Sequence, residues 1–243
     1  MCETKSPVAQ PSTRRLFLRG SSALAATITG LTSSISTSAW AAKTPPKPHN
    51  IVSPDDAIAR LKEGNARYVA GLMRRHDFAS ERKALTEGQN PYAALLSCAD
   101  SRVAPEYAFD SVRGDLFTTR VAGNIVSTDV TGSLEYAVAV LKVPLIVVLG
   151  HDKCGAVDAA LSAHTKGTTY PGSIQAIVEQ MLPTVRKVDK APDRLAAAVS
   201  QNVSDNVSAL RAASTILRDA EAKGALKIIG GVYRLGSGKV DLI

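Results

Sequence analysis

This sequence predicts an α/β domain with a parallel sheet, and three observations carry the expectation. Leu145-Ile146-Val147-Val148-Leu149 is apolar at every position, as in a strand covered on both faces. A shorter apolar run, Tyr92 to Ser97, and a second strand-like stretch, Leu116 to Val121, precede it. Stretches of helical periodicity separate and follow these runs, which is the strand–turn–helix alternation of a βαβ sheet.

The first forty or so of the 243 residues read as an address rather than as structure. Thr13-Arg14-Arg15-Leu16-Phe17-Leu18-Arg19 is a paired-arginine export segment, followed by a modestly apolar stretch to Ile35 and by Ala39-Trp40-Ala41, an A-x-A cleavage pattern. The apolar stretch is too short and too broken by Ser, Thr and Gly for a span, which needs roughly 20 apolar residues. Residues 1–41 are therefore expected to be a twin-arginine signal peptide, with the mature protein periplasmic and without stable membrane insertion once the signal is gone. This segment accounts for +3 of the formal +7 charge, leaving +4. No Lys/Arg cluster with interleaved aromatics occurs, so nucleic acid is excluded as a partner.

Residues 42–52, with Pro45, Pro46 and Pro48, form a stiff linker, and residues 53–243 form one domain. Ser53-Pro54-Asp55-Asp56 opens a helix: Ser53 caps it, Pro54 suits its first position, and the acids face the positive end of the dipole. Ile58, Leu61, Tyr68 and Val69 continue it to about Gly71. Residues 74–90 are polar, a helix plus a loop. The strands at Tyr92 and Leu116 follow, then a helix over Thr131–Leu141, the strand at Leu145 and a helix from Gly155 to about His164. Ile174, Ile177, Val178 and Met181 mark another helix, and a single long one is expected from Pro192 to about Ala222, stopped by Gly224. Leu226–Val232 and Lys239–Leu242 close the chain as a hairpin around Gly236-Ser237-Gly238.

The chemistry sits directly after two of the strands. Cys98-Ala99-Asp100-Ser101-Arg102 and His151-Asp152-Lys153-Cys154-Gly155 lie where open α/β sheets place their sites. Cys98, His151 and Cys154 supply two thiols and an imidazole, three ligands for a tetrahedral zinc with one position left over, the arrangement of a catalytic metal. A structural zinc would close the tetrahedron with a fourth Cys or His. His49 in the linker, His76 in a polar loop and His164 at a helix end are not placed to do so. Two cysteines in an oxidising compartment would by default form a disulfide, but the neighbouring His151 and Asp100 favour the metal. Asp100 is close enough to Cys98 in sequence to bind the metal itself or to hydrogen-bond the group that does. Arg102 can grip a carboxylate with two parallel donors.

Cys98-Ala99-Asp100-Ser101-Arg102-Val103 followed by Gly150-His151-Asp152-Lys153-Cys154-Gly155 resembles the beta-class carbonic anhydrases. The likeness extends through Gly114-Asp115-Leu116-Phe117, Arg120-Val121-Ala122-Gly123-Asn124, Gly132-Ser133-Leu134-Glu135-Tyr136-Ala137 and Gly231-Val232-Tyr233. The resemblance implies four parallel strands with an added antiparallel edge strand, flanked by helices. It implies one zinc per chain on Cys98, His151 and Cys154, with Asp100 as an alternative fourth ligand and Asp100–Arg102 as a catalytic dyad. It also implies reversible hydration of carbon dioxide to bicarbonate and a proton by zinc-bound hydroxide, and a homodimer or dimer of dimers. Val121 stands where many members carry Asn, Asp152-Lys153 replaces a smaller Ser or Thr pair, and no substrate-binding residue is assigned. Two alternatives share these residues: a carbon disulfide or carbonyl sulfide hydrolase on the same zinc site, and a non-catalytic zinc-stabilised binding protein.

Overall fold

The computed structural model describes residues 52–243; the export segment, its cleavage triplet, His49 and residues 42–51 of the linker lie outside the described residues. Helix α1 spans Pro54–Val69, and its start is the predicted one: the Ser53 hydroxyl accepts from the Asp56 N–H while the Asp56 carboxylate reaches back to Ser53, a reciprocal capping box. After α2 (Phe78–Ala84) come β1 (Ala93–Ser97), a single-turn α3 (Pro105–Ala108) that the sequence reading lacked, and β2 (Leu116–Arg120). A short 3-10 turn over Ala122–Asn124 leads to α4 (Thr128–Ala139), which begins three residues earlier than predicted because Ser127 caps it. The chain continues through β3 (Leu145–His151), α5 (Gly155–Lys166), α6 (Ser173–Arg186), α7 (Arg194–Ala213), α8 (Thr215–Ala222), β4 (Lys227–Tyr233) and β5 (Val240–Leu242).

The five strands form one sheet in the order β2-β1-β3-β4-β5. β1 pairs in parallel with β2 and β3, β3 pairs in parallel with β4, and β5 runs antiparallel on the edge beside β4. Four parallel strands and one antiparallel edge strand are the expected arrangement. All seven residues of β3 are buried, because the sheet is covered on both faces. On one face Ala94, Leu96, Ile146, Val148, Ile228 and Val232 pack against α4 to α8. On the other, Leu95, Val147, Leu149 and Tyr233 pack against Ala57 and Leu61 of α1 and Phe109 after α3.

The long helix expected over Pro192–Ala222 is two helices. Ser214 is extended, at φ −128° and ψ 121°, and separates α7 from α8. Its hydroxyl accepts from the Leu217 N–H, capping α8, and donates to Glu135 Oε1 at 2.6 Å. A serine engaged by both a cap and a half-buried carboxylate outcompetes continuation of the helix. Among the described residues no helix is long and apolar enough to cross a membrane.

Candidate metal centre

Parallel pairing of β1 with β3 sets Ser97 opposite Leu149, so Cys98 and His151 leave the sheet at the same, carboxyl-terminal edge. Cys154 arrives from β3 by a tight turn. Lys153 takes a left-handed φ of 53° there, and Cys154 becomes the N-cap of α5. That conformation costs a non-glycine residue about 1–2 kcal/mol, and here it returns the Cys154 sulfur to the histidine. The positive end of the α5 dipole also favours a thiolate at this position. Gly150 is needed just before: a Cβ there would lie 2.6 Å from Val203 of α7, which packs against this end of the strand.

The Cys98 and Cys154 sulfurs are 3.9 Å apart, far beyond the roughly 2.05 Å of a disulfide, and both cysteines are free and buried. With a ring nitrogen of His151 they form a trio of donor atoms all within 4.8 Å of one another. His151 Nδ1 donates to the Asp152 carbonyl at 2.9 Å, which leaves Nε2 unprotonated and facing the sulfurs. Nε2 is fully buried and has no hydrogen-bond partner. An orphaned imidazole nitrogen beside two thiols is what a missing cation would satisfy. The hydrogen bond between the two sulfurs draws Cys98 well below the ordinary thiol range, while pairing with Cys98 and burial push Cys154 up. Two soft sulfurs and one imidazole fit zinc.

Asp100 flanks the trio without joining it, its Oδ2 3.7 Å from His151 Nε2. Arg102 clasps it: Nε donates to Oδ1 at 2.9 Å, Nη2 to Oδ2 at 2.7 Å, and the Arg102 backbone N–H to Oδ1 at 2.9 Å. These bonds hold the Asp100 carboxyl well below the usual carboxylate range. Arg102 Nη2 also approaches the Lys153 carbonyl at 3.4 Å, linking the two ligand-bearing loops.

All five sequence-predicted site residues therefore meet at one place. His76 is engaged by Glu81 and stacks on Phe78, and His164 pairs with Asp189 at 2.9 Å. Neither belongs to the donor trio.

Three supporting groups were given no role from sequence. Arg120, at the end of β2, donates through Nε to the Cys98 carbonyl at 3.0 Å and through Nη2 to the Asp100 carbonyl at 2.7 Å. The Gly123 N–H points at Cys98 Sγ from 3.4 Å. Asp152 accepts from the Leu235 N–H at 2.9 Å and donates its own N–H to the Tyr233 carbonyl, tying the histidine loop to the β4–β5 turn. An arginine ending a strand beside the motif strand is a usable signal for Arg120 once the register is known.

A family model described as carbonic anhydrase matches residues 93–240. The carbonic anhydrase of Mycolicibacterium smegmatis is 45% identical over 192 residues, covering 78% of this chain and 93% of that protein. Carbonic anhydrase 2 of Mycobacterium tuberculosis is 43% identical over 199 residues, with the same coverage of each chain. Among solved structures, tetrameric beta-carbonic anhydrases from Sordaria macrospora align with a TM-score of 0.61 at 25% identity, over 78% of this chain and 97% of that one. A Coccomyxa beta-carbonic anhydrase in complex with acetazolamide aligns with a TM-score of 0.60 at 29% identity, over 78% and 82%.

The chain belongs to the carbonic anhydrase family. Its sheet and its relatives place it in the beta class, as a zinc-dependent enzyme. These relatives lend no support to the sulfur-gas hydrolase or the non-catalytic reading.

Proposed function

We propose that Cys98, His151 and Cys154 hold one zinc ion per chain, and that Asp100 and Arg102 serve it in the reversible hydration of carbon dioxide to bicarbonate and a proton. The observation that carries this reading is the buried, partnerless Nε2 of His151 beside two free thiols, with an arginine-clasped carboxylate at their edge.

Zinc, when bound, supplies a Lewis acid that lowers the pKa of water from 15.7 towards about 7. The chain's residues do the rest. Cys98 and Cys154 contribute thiolate charge from two separate loops, and the Asp152 carbonyl keeps His151 in the tautomer whose Nε2 is a ligand. Asp100, kept ionised by Arg102, accepts the hydrogen of the attacking oxygen at Oδ2 and aims its lone pair at the carbon of carbon dioxide. Arg102 also restrains Asp100 from swinging across the 3.7 Å to His151 Nε2, where it would become the fourth ligand. Water and carbon dioxide are consumed, and bicarbonate and a proton leave. The test is stopped-flow hydration of carbon dioxide by mature, zinc-quantified protein, with carbonyl sulfide and carbon disulfide as competing substrates. Turnover of a sulfur gas in preference to carbon dioxide overturns the assignment.

Export through the twin-arginine pathway to the periplasm is part of the same reading, supported by Arg14-Arg15 and Ala39-Trp40-Ala41. Replacing both arginines with lysine should keep the protein in the cytoplasmic fraction. A homodimer or dimer of dimers is supported by the tetrameric relatives of Sordaria macrospora and by exposed Tyr136 packed on Phe117 of edge strand β2. Sedimentation of the mature protein tests it.

A further inference from the structure

Helix α7 carries two asparagines one turn apart, Asn202 and Asn206, and both are buried, at 2% and 8% exposure. Buried amides must find partners, and these find them in a chain that ends at the metal centre. Asn206 Oδ1 accepts the Val126 N–H at 2.8 Å, which turns its Nδ2 towards Asn202, where it donates to the backbone carbonyl at 2.8 Å and to Oδ1 at 3.1 Å. With its own Oδ1 so occupied, Asn202 turns Nδ2 outward and donates to the Gly123 carbonyl at 2.8 Å. One helix face thus pins the turn at residues 123 and 126.

Gly123 is the residue whose N–H approaches Cys98 Sγ. Its φ of 72° is left-handed, and a Cβ there would meet Met181 Sδ of α6 at 2.9 Å, so the turn calls for glycine at this position. The residue that points its N–H at the sulfur is thus held on the other side of its Cα, at its own carbonyl, by the Asn202 amide. An N–H aimed at a thiolate withdraws charge from it and orients its lone pairs, and partners one step removed from a metal tune it as its ligands do.

We infer that Asn202 is a positioning residue for the metal centre: by holding the Gly123 carbonyl it fixes the N–H that hydrogen-bonds the Cys98 sulfur. The inference rests on the zinc reading above. It extends that reading to a residue 104 positions from the ligand it serves, whose side chain touches neither metal nor substrate.

The experiment uses cobalt(II) in place of zinc in the mature protein, because thiolate-to-cobalt charge transfer absorbs light and reports the electron density on sulfur. A wild-type protein without that band overturns the thiolate ligation itself, and this inference with it. Asn202→Asp keeps the shape and the acceptor for Asn206 but sets a carboxylate against the Gly123 carbonyl. Its band should move to longer wavelength, since an unbonded sulfur gives up charge more readily, and zinc should pass to a chelator about 10-fold faster. Asn206→Ala, one rung back, should move both readouts in the same direction by less. Leu210→Ala, a core truncation two turns along α7, should lower the melting temperature and leave the band in place. A folded Asn202→Asp with the wild-type band and release rate overturns the inference, and so does an equal band shift in Leu210→Ala. Should Asn202→Asp yield no folded protein, Asn206→Ala decides by the same two readouts.

Discussion

Arg102 holds Asp100 by both arms of its guanidinium, at 2.9 and 2.7 Å, while the same carboxylate stands 3.7 Å from the free nitrogen of His151. On the proposed reading Asp100 has two places to go, and Arg102 would decide between them. Losing the fork would free the carboxylate to turn towards His151 Nε2, where it would compete with substrate for a metal held by the trio. Arg102→Lys keeps the charge but cannot make two parallel bonds. We expect Arg102→Lys and Arg102→Gln to bind zinc at full stoichiometry while losing about 10- to 100-fold in carbon dioxide hydration. Asp100→Asn should lose at least as much, because an amide cannot keep the acceptor charge. Wild-type turnover in Arg102→Gln, measured by stopped flow on zinc-quantified protein, contradicts the dyad.

Metal removal should be legible in stability as well as in rate. The donor trio comes from the end of β3, the start of α5 and the loop after β1, so zinc held there would tie three elements at once. Zinc held at 1,000 times its dissociation constant adds about 4 kcal/mol to the native state. For a domain of this size that is roughly a 10 °C rise in melting temperature. Calorimetry of chelator-stripped protein should show that drop, and added zinc should restore it. Cys154→Ser should melt close to the stripped wild type, with zinc making little difference.

The pH dependence follows from the charge of the donor set. Two thiolates and a neutral imidazole cancel the two positive charges of zinc, whereas three imidazoles leave both in place. A neutral centre withdraws less charge from water, so water should ionise above the roughly 7 of a three-histidine site. Asp100 does not oppose this trend, because Arg102 keeps it ionised across the whole neutral range. We expect hydration activity to climb from mildly acidic into alkaline pH. A flat profile over that span, at constant zinc content, counts against it.

Much of this architecture is readable from the residues, and the exceptions have physical reasons. The unbroken apolar run at Leu145 and the short run before Cys98 announce buried strands, and ligands placed directly after both foretell the site. That β1 and β3 are neighbours, which brings Cys98 to His151, is a matter of register that no local pattern encodes. The break at Ser214 escaped because α7 and α8 have continuous helical periodicity, and only the long-range bond to Glu135 shows why serine stops the first helix there. Arg120 and Asn202 escaped for the same reason: each acts on a backbone carbonyl distant in sequence, Cys98 from β2 and Gly123 from α7. Hydrogen bonds to main chain leave little compositional trace.

Asp110 gives a test of acid stability away from the metal. Its side chain is fully buried, has a left-handed φ of 43°, and accepts hydrogen bonds from Arg67 Nε, Arg74 Nε and the Arg74 backbone N–H. Burial would push its carboxyl up, but the two arginines outweigh it and hold it below the ordinary value of 3.8. A carboxylate depressed on folding adds stability that is present above its unfolded pKa and is lost as pH falls through its folded one. Asp110→Asn suits the left-handed backbone, removes the charge and turns one of the two acceptor oxygens into a donor facing another donor, so it should cost about 2–3 kcal/mol at neutral pH. Chemical denaturation of both proteins should show that gap narrowing as the pH drops below about 4, where the wild-type carboxyl begins to protonate in the unfolded chain. A gap that stays constant from pH 7 to pH 3 would show that Asp110 contributes through shape and neutral hydrogen bonds rather than through its charge.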